Sequence, residues 1–311
     1  MNISELLPGW ELRLMANSRS PHTIRNYLGA AKALDSWLKS EGRSTDVADL
    51  SRGVMDAFTV AMLSKPKATR GTGKLALATV DKLQKGLRQF FAYLLEEGEI
   101  AADPMAKMPR TKPAETMPAV LADHEIEALL DTCRGRTFLD RRDAAILRLM
   151  LDTGTRAAET CNITVADVDL LTGSVAVIGK GKNGAPKPRT VVISVTTAAT
   201  LERYLRSRGG HSWADRSQKL WLGQRGPLTP EGLARMLTKR CQLADVGHFH
   251  PHLLRHTWAS NAKMEGIQPD EFKALGGWST NEMPERYGRA TVVARAMATG
   301  RRISLVERLG R

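Results

Sequence analysis

The sequence predicts a mainly α protein with one small β-sheet (an α+β fold), built in two parts on either side of a proline-rich stretch. Three observations carry that expectation. Apolar residues recur at helical spacing through most of the 311-residue chain. β-Branched runs gather at one place only, in two neighbouring segments between residues 174 and 193. Pro104, Pro109, Pro113 and Pro118 crowd residues 98–119 too densely for a helix or a strand ladder.

The first part, residues 1–103, reads as a helical bundle. Ser20 is a capping side chain and Pro21 suits the first helical position. Ile24, Tyr27, Leu28, Ala31, Leu34 and Leu38 then share one face, and Gly42 stops the helix. Ser51 precedes a second stripe of Val54, Phe58, Ala61 and Met62. A third helix carries Val80, Leu83, Leu87, Phe90, Phe91, Leu94 and Leu95, and ends before Gly98. Residues 104–118 read as an extended linker. Lys107, Arg110 and Lys112 within it are candidate contacts to a polyanion.

The second part covers residues 119–289, with 290–311 as a helical tail. Asp123 is placed to cap a helix over Ile126, Leu129 and Leu130, and a longer helix over about 139–153 stops at Gly154. Ser174–Ile178 and Arg189–Ile193 read as strands joined by a basic, glycine-rich turn, Gly179-Lys180-Gly181-Lys182-Asn183-Gly184. After residue 196 the pattern is helical again.

Charge points to the partner. The net charge is +13, and both parts share it: residues 1–110 carry +4 and residues 111–311 carry +9. Such an excess favours a polyanion bound by both parts. No apolar run reaches the ~20 residues of a membrane span, and Met1-Asn2-Ile3-Ser4-Glu5 lacks the basic-then-apolar pattern of a signal peptide. A soluble, cytoplasmic protein is expected. Cys133, Cys161 and Cys241 lack metal-ligand spacing and read as small buried hydrophobes.

Several polar residues sit at structural punctuation. Arg156 follows Thr153-Gly154-Thr155 at a helix start, where its planar fork of donors suits two phosphate oxygens. In His252-Leu253-Leu254-Arg255-His256 the helical spacing puts His252 and Arg255 on one face, with Leu253 and Leu254 toward a core. His256 reads as a histidine holding core groups. His252 and His256 are also at i, i+4 spacing, but no cysteine or carboxylate pattern completes a zinc site. Tyr287 follows Leu275-Gly276-Gly277-Trp278 and lies between Arg286 and Arg289. Nearby cations are expected to favour its phenolate.

Taken together, these motifs resemble the tyrosine recombinase (phage integrase) family, over nearly the whole chain. Thr153 to Glu159 looks like the first-arginine box and Ile178 to Lys182 like the β-hairpin lysine motif. His252 to His256 is similar to the His-x-x-Arg box, and Leu275 to Trp278, with Tyr287 nine residues on, to the final box. Trp278 stands where many members have histidine. The resemblance implies a helical core-binding domain and a mixed catalytic domain forming a C-shaped clamp on double-stranded DNA. It implies Tyr287 as nucleophile, forming a 3′-phosphotyrosine. Arg156 and Arg255 would clamp the phosphate, Lys180 (or Lys182) would protonate the leaving oxygen, His252 would bond the phosphate and help deprotonate the attacking hydroxyl, and Trp278 would supply a further donor and pack the nucleophile's helix. Glu159 would orient neighbours. It implies no cofactor and no metal, a homotetramer on two DNA sites exchanging C-terminal tails through a four-way junction, and a role for accessory DNA-bending proteins. The preferred reading is a phage or mobile-element integrase. A Xer-type resolvase, a type IB topoisomerase and an inactive DNA-binding protein are the alternatives.

Overall fold

The computed structural model describes residues 1–66, 74–111, 118–181, 185–247, 252–302 and 306; for Lys180 and some residues between 288 and 302 it describes the backbone alone. It divides into two compact units, one built on Met1–Thr116 and one on Met117–Gly181 with Ala185–Arg311.

The first unit holds α1 (Ile3–Ala16), α2 (Pro21–Ser40), α3 (Arg52–Ser64) and α4 (Leu77–Glu96). The Ser20 hydroxyl accepts the Thr23 N–H at 3.2 Å, and Gly42 is left-handed at φ 63°, so both ends of α2 follow the sequence signals. α1 is an addition to that reading. Its Ile3, Leu6, Leu7, Trp10 and Leu14 line one buried stripe, and Asn2 and Glu5 form a capping box at its start. Trp10 packs on Phe90 of α4 at 4.9 Å. The expected extended linker also differs at its beginning. Met105 and Met108 are buried in this unit's core, and the Arg88 guanidinium donates to the carbonyls of both. Two buried side chains and two charged hydrogen bonds hold the chain as a turn, where prolines alone suggested extension. Lys107 and Arg110 remain exposed, Arg110 lying 3.9 Å from Asp81; Lys112 falls outside the described residues.

The second unit opens with α5 (Asp123–Asp131), α6 (Phe138–Thr153) and α7 (Ala157–Asn162). Ala122, not Asp123, is the N-cap of α5; Asp123 lies in the first turn, and Glu125 reaches back to accept the Ala122 N–H. α6 is the central helix, with Ala145, Ile146, Leu147, Leu149 and Met150 buried. A three-stranded antiparallel sheet follows, ordered β1 (Val168–Asp169), β2 (Ser174–Lys180), β3 (Pro186–Val192). The ladder runs from Ser174↔Val192 to Lys180↔Pro186, so strand structure reaches further into the hairpin than the β-branched runs do. Pro186 and Pro188 are tolerated because β3 is an edge strand, where a missing N–H breaks no second ladder. Val175, Val177 and Val191 turn inward.

The rest comprises α8 (Val195–Gly209), a short hairpin of β4 (Leu222–Gly223) and β5 (Gly226–Pro227), α9 (Pro230–Leu243), α10 (Leu253–Met264), α11 (Pro269–Gly276) and α12 (Glu282–Arg302). The β4–β5 hairpin departs from the all-helical expectation after residue 196. Cys133, Cys161 and Cys241 are buried. Burial pushes the Cys161 thiol up to about 12 and the Cys241 thiol up to about 11, so both are inert thiols at neutral pH. Among the described residues no helix is long and apolar enough to cross a membrane.

Candidate active site

The site grows from the ends of α6, α10 and α11. Gly154 terminates α6 in the left-handed region at φ 60°, and a side chain there would collide with the Trp258 ring, 2.2 Å from the position of a Cβ. The turn it makes starts α7 with Arg156 at the N-cap. Gly277 ends α11 in the same conformation, at φ 64°.

Arg255 is the buried centre of this arrangement, 3% exposed. Its Nη1 donates to the Gly154 carbonyl and its Nη2 to the Gly276 carbonyl, each at 2.6 Å. One guanidinium thus ties the first-arginine turn to the end of α11. Its plane lies over the Trp278 ring at 4.4 Å. Burial, with Arg156 nearby, pushes its pKa down to about 9, which still leaves it charged at neutral pH.

Arg156, with its side chain 34% exposed, faces the open side and donates from Nη1 to Glu159 Oε1 at 2.6 Å. Glu159 Oε2 accepts from the Arg156 N–H at 2.9 Å and from Arg189 Nη2 at 2.8 Å. Burial works against the Glu159 charge, yet these donors hold its pKa below the ordinary 4.5. Arg189 is a site residue that sequence reading missed. Its Nε donates to the Leu275 carbonyl at 2.9 Å, and its buried Nη1 finds no acceptor among the described residues. The signal was present: β3 alternates, and Arg189 shares the inward face with Val191, a place for an apolar residue unless a charge is needed there. Lys187, two residues earlier, donates to the Trp278 carbonyl at 3.3 Å.

Tyr287 lies on α12 and is 1% exposed. Phe272, Trp278 and Ala259 form a small separate core around it, with its ring 6.0 Å from Trp278 and 6.2 Å from Phe272. The expectation that cations lower its pKa is corrected. Burial dominates and raises it, while Arg255, Arg286 and Arg156 pull more weakly the other way. Its hydroxyl is hydrogen-bonded to His256 Nδ1. His256 is therefore a second residue whose place the sequence did not disclose. His252 differs too. It is the N-cap of α10 and exposed, so it does not share the buried environment of Arg255 despite the helical spacing. Trp278 is largely buried and meets the site through ring contacts with Arg255, Phe272 and Tyr287. Lys180 ends β2, with its side chain outside the description, and Lys182 lies outside the described residues.

The balance of charge decides what the arrangement can hold. Arg156 and Arg189 both pair with one carboxylate, Glu159, and the charges of all three act on the nearby Arg255. Three arginines against one carboxylate leave net positive charge beside the buried Tyr287 phenol, an arrangement able to hold an anion next to a hydroxyl.

This fold and site define the tyrosine-type recombinases. The phage integrase family model matches residues 119–292, and the chain belongs to that family, as a site-specific tyrosine recombinase. It is 29% identical to the tyrosine recombinase XerC of Bacillus subtilis (strain 168) over 277 residues, 86% of each chain. It is 32% identical to XerC of Bacillus pumilus (strain SAFR-032) over 219 residues, 68% of this chain and 70% of that protein. Its fold is similar to the XerH site-specific recombinase bound to palindromic difH substrate in a post-cleavage complex, with TM-score 0.72 and 17% identity over 89% of this chain and 79% of the other. It is also similar to a lambda integrase(75–356) dimer bound to a COC′ core site, with TM-score 0.69 and 17% identity over 93% and 95%.

Proposed function

We propose that the chain cuts and rejoins double-stranded DNA through Tyr287, as an integrase of a phage or mobile element. The observation that carries this reading is the gathering of Arg156, Arg189 and Arg255 with a single carboxylate, Glu159, among them, beside the buried Tyr287 phenol. Tyr287 attacks the scissile phosphate to give a 3′-phosphotyrosine. Arg156 and Arg255 donate to the non-bridging oxygens, where negative charge accumulates in the transition state. Lys180, or Lys182, protonates the leaving 5′-oxygen. His252, exposed at the start of α10, bonds the phosphate from the solvent side, and Trp278 stacks on Arg255 and packs the helix that bears the nucleophile.

The reading includes a core-binding domain over 1–103, a linker over 104–118 in which Lys107, Arg110 and Lys112 lie on phosphates, and a catalytic domain over 119–289. Both domains grip the same duplex. Four protomers assemble on two DNA sites, exchange the tails after residue 290, and pass through a four-way junction, with accessory proteins bending the DNA in the host cytoplasm. A second reading, a chromosome-dimer resolvase, is favoured by the XerC relatives, which match across most of the chain.

Incubation with nicked suicide duplexes tests the chemistry. A covalent protein–DNA adduct is expected with the natural chain and none with Tyr287→Phe. Arg255→Ala is expected to lower adduct formation by about 10²–10³-fold, the effect of removing one oxyanion donor. Adducts that survive Tyr287→Phe would overturn the nucleophile assignment. Exchange between sites that flank the gene would mark the integrase, and exchange at a palindromic chromosomal site the resolvase.

A further inference from the structure

We propose that His256 is a catalytic residue of this reaction: its Nδ1 holds the Tyr287 phenol and takes the phenolic proton as the oxygen attacks phosphorus. The inference rests on the reading of Tyr287 as the nucleophile. It places the proton acceptor at His256, whose ring is hydrogen-bonded to the phenol, and not at the exposed His252.

The placement follows from helix geometry. Successive residues of α10 point about 100° apart. Arg255 therefore turns to the carbonyls of Gly154 and Gly276, while His256 turns to α12. The His256 and Tyr287 rings lie 5.6 Å apart and inclined at 48°, with Nδ1 and the phenol oxygen hydrogen-bonded. The groups around that oxygen differ sharply in what they can accept. Arg255, Arg286 and Arg156 act on the phenol's charge, but a guanidinium has no lone pair to offer a proton. The Trp278 indole nitrogen is a donor only. The imidazole, with its hydrogen on Nε2, presents a lone pair at Nδ1. Tyr287 is 1% exposed, so water does not compete freely for the proton at that position. Burial also keeps the phenol protonated at neutral pH, so the proton has to be removed during attack. The exposed His252 ring lies 6.2 Å from the His256 ring, an outward neighbour through which the proton can reach solvent.

The step balances. The phenolic O–H bond breaks, its hydrogen passes to Nδ1, and the oxygen's electron pair forms the bond to phosphorus. The bond from phosphorus to the 5′-oxygen breaks, and that oxygen takes a proton from the hairpin lysine. The imidazolium charge is set beside the incoming phosphate anion. In rejoining, the 5′-hydroxyl gives its proton back to the hairpin lysine as its oxygen attacks the phosphotyrosine phosphorus, the bond from phosphorus to the tyrosine oxygen breaks, and His256 returns its proton to the departing phenol.

The test uses the full chain and a nicked suicide duplex that the natural protein cuts, selected from duplexes tiling the DNA on either side of its coding sequence. His256→Asn puts an amide oxygen near the position of Nδ1. It keeps a hydrogen-bond acceptor for the phenol and is unable to take up a proton. Single-turnover adduct formation is expected to fall by about 10²–10⁴-fold in His256→Asn and in His256→Ala. Melting temperature and affinity for the duplex should stay near those of the natural chain in His256→Asn. Added imidazole should restore part of the rate to His256→Ala and none to Tyr287→Phe. A duplex with sulfur at the bridging 5′ position has a leaving group that needs no proton. It should rescue Lys180→Ala (or Lys182→Ala) and leave the His256 variants slow. A natural rate in His256→Asn would reduce His256 to a holding role and overturn the proposal. Rescue of the His256 variants by the sulfur duplex would overturn it too, by moving the residue to the leaving group. Adducts formed by Tyr287→Phe would instead overturn the nucleophile reading beneath it.

Discussion

Arg189 shows how much one buried side chain organises. It bonds Glu159 on α7 and the Leu275 carbonyl on α11 from its own strand, and a Cβ on Gly277 would lie 2.8 Å from its Nη1. Arg189→Met keeps bulk and removes the charge, leaving the buried Glu159 without one partner. Destabilisation of about 3–5 kcal/mol is expected, the usual result of breaking a buried pair from one side, measured by urea unfolding. Glu159 gives a pH signature of known sign. Its folded pKa lies below 4.5, so its stabilising contribution is complete above that value and is lost as pH falls through the folded pKa. Glu159→Gln should flatten the acid limb of the melting temperature against pH. Tyr287 acts at the other end. Its folded pKa is raised above 10.0, so its contribution holds below that value and is lost as pH rises through the folded pKa. Tyr287→Phe should flatten the alkaline limb.

Among the helices, α6 and α9 are joined by a buried charge network. Asp143 Oδ1 accepts from Arg142 Nε and Nη2, its Oδ2 accepts from Arg240 Nε at 2.9 Å, and Arg240 Nη2 also donates to Asp140 at 2.9 Å. Arg142 Nη1 continues to the Leu222 carbonyl, so the β4–β5 hairpin is held by the same group. Asp143→Ala removes the carboxylate that the buried Arg142 and Arg240 share and leaves Arg142 without its anionic partner, which should cost about 3–5 kcal/mol. Glu202→Ala, which removes an exposed pair with Arg206 on α8, should cost under about 0.5 kcal/mol. Equal losses in the two variants would show that the network contributes no more than a surface pair. Element by element, most helices were legible because stripe, cap and stop signals agreed, as they do for α2 between Ser20 and Gly42. α1 carried a stripe of the same quality and was passed over because Pro8 and Gly9, two residues that usually break helices, interrupt it. β3 was read short because Pro186 and Pro188 argue against a strand anywhere except at an edge, and edge position is a property of the sheet.

For the whole molecule, the charge of +13 is the property most exposed to test. DNA affinity should fall with salt at a log–log slope of about −5 to −9, as for a protein neutralising roughly six to ten phosphates. A slope near zero in filter binding between 50 and 200 mM salt, on the order of the range where such losses appear, would remove DNA as the partner. The residues of the site were legible at this scale in a particular sense. Arg156, Arg255 and Tyr287 could be named from the order and spacing of their motifs. The partners that fix their chemistry could not, because Arg189 and His256 act through contacts that close only when strand, turn and helix meet. The same limit explains the Tyr287 correction. Its flanking arginines are visible in sequence, whereas the ring stack that buries it comes from Phe272, Trp278 and Ala259 on other elements.

The bridge from Glu159 through Arg189 to Leu275 also has a consequence in time. Synthesis at about 5–20 residues per second takes roughly 6–24 s to run from Arg156 to Leu275. Through that interval the first arginine and its glutamate exist, but the carbonyl that completes the Arg189 shell has not been made, nor has the Gly276 carbonyl that holds Arg255. Tyr287 follows later still. A nascent chain therefore carries basic surface able to meet DNA well before it carries a site able to break it, and the order of the sequence acts as a delay on the chemistry.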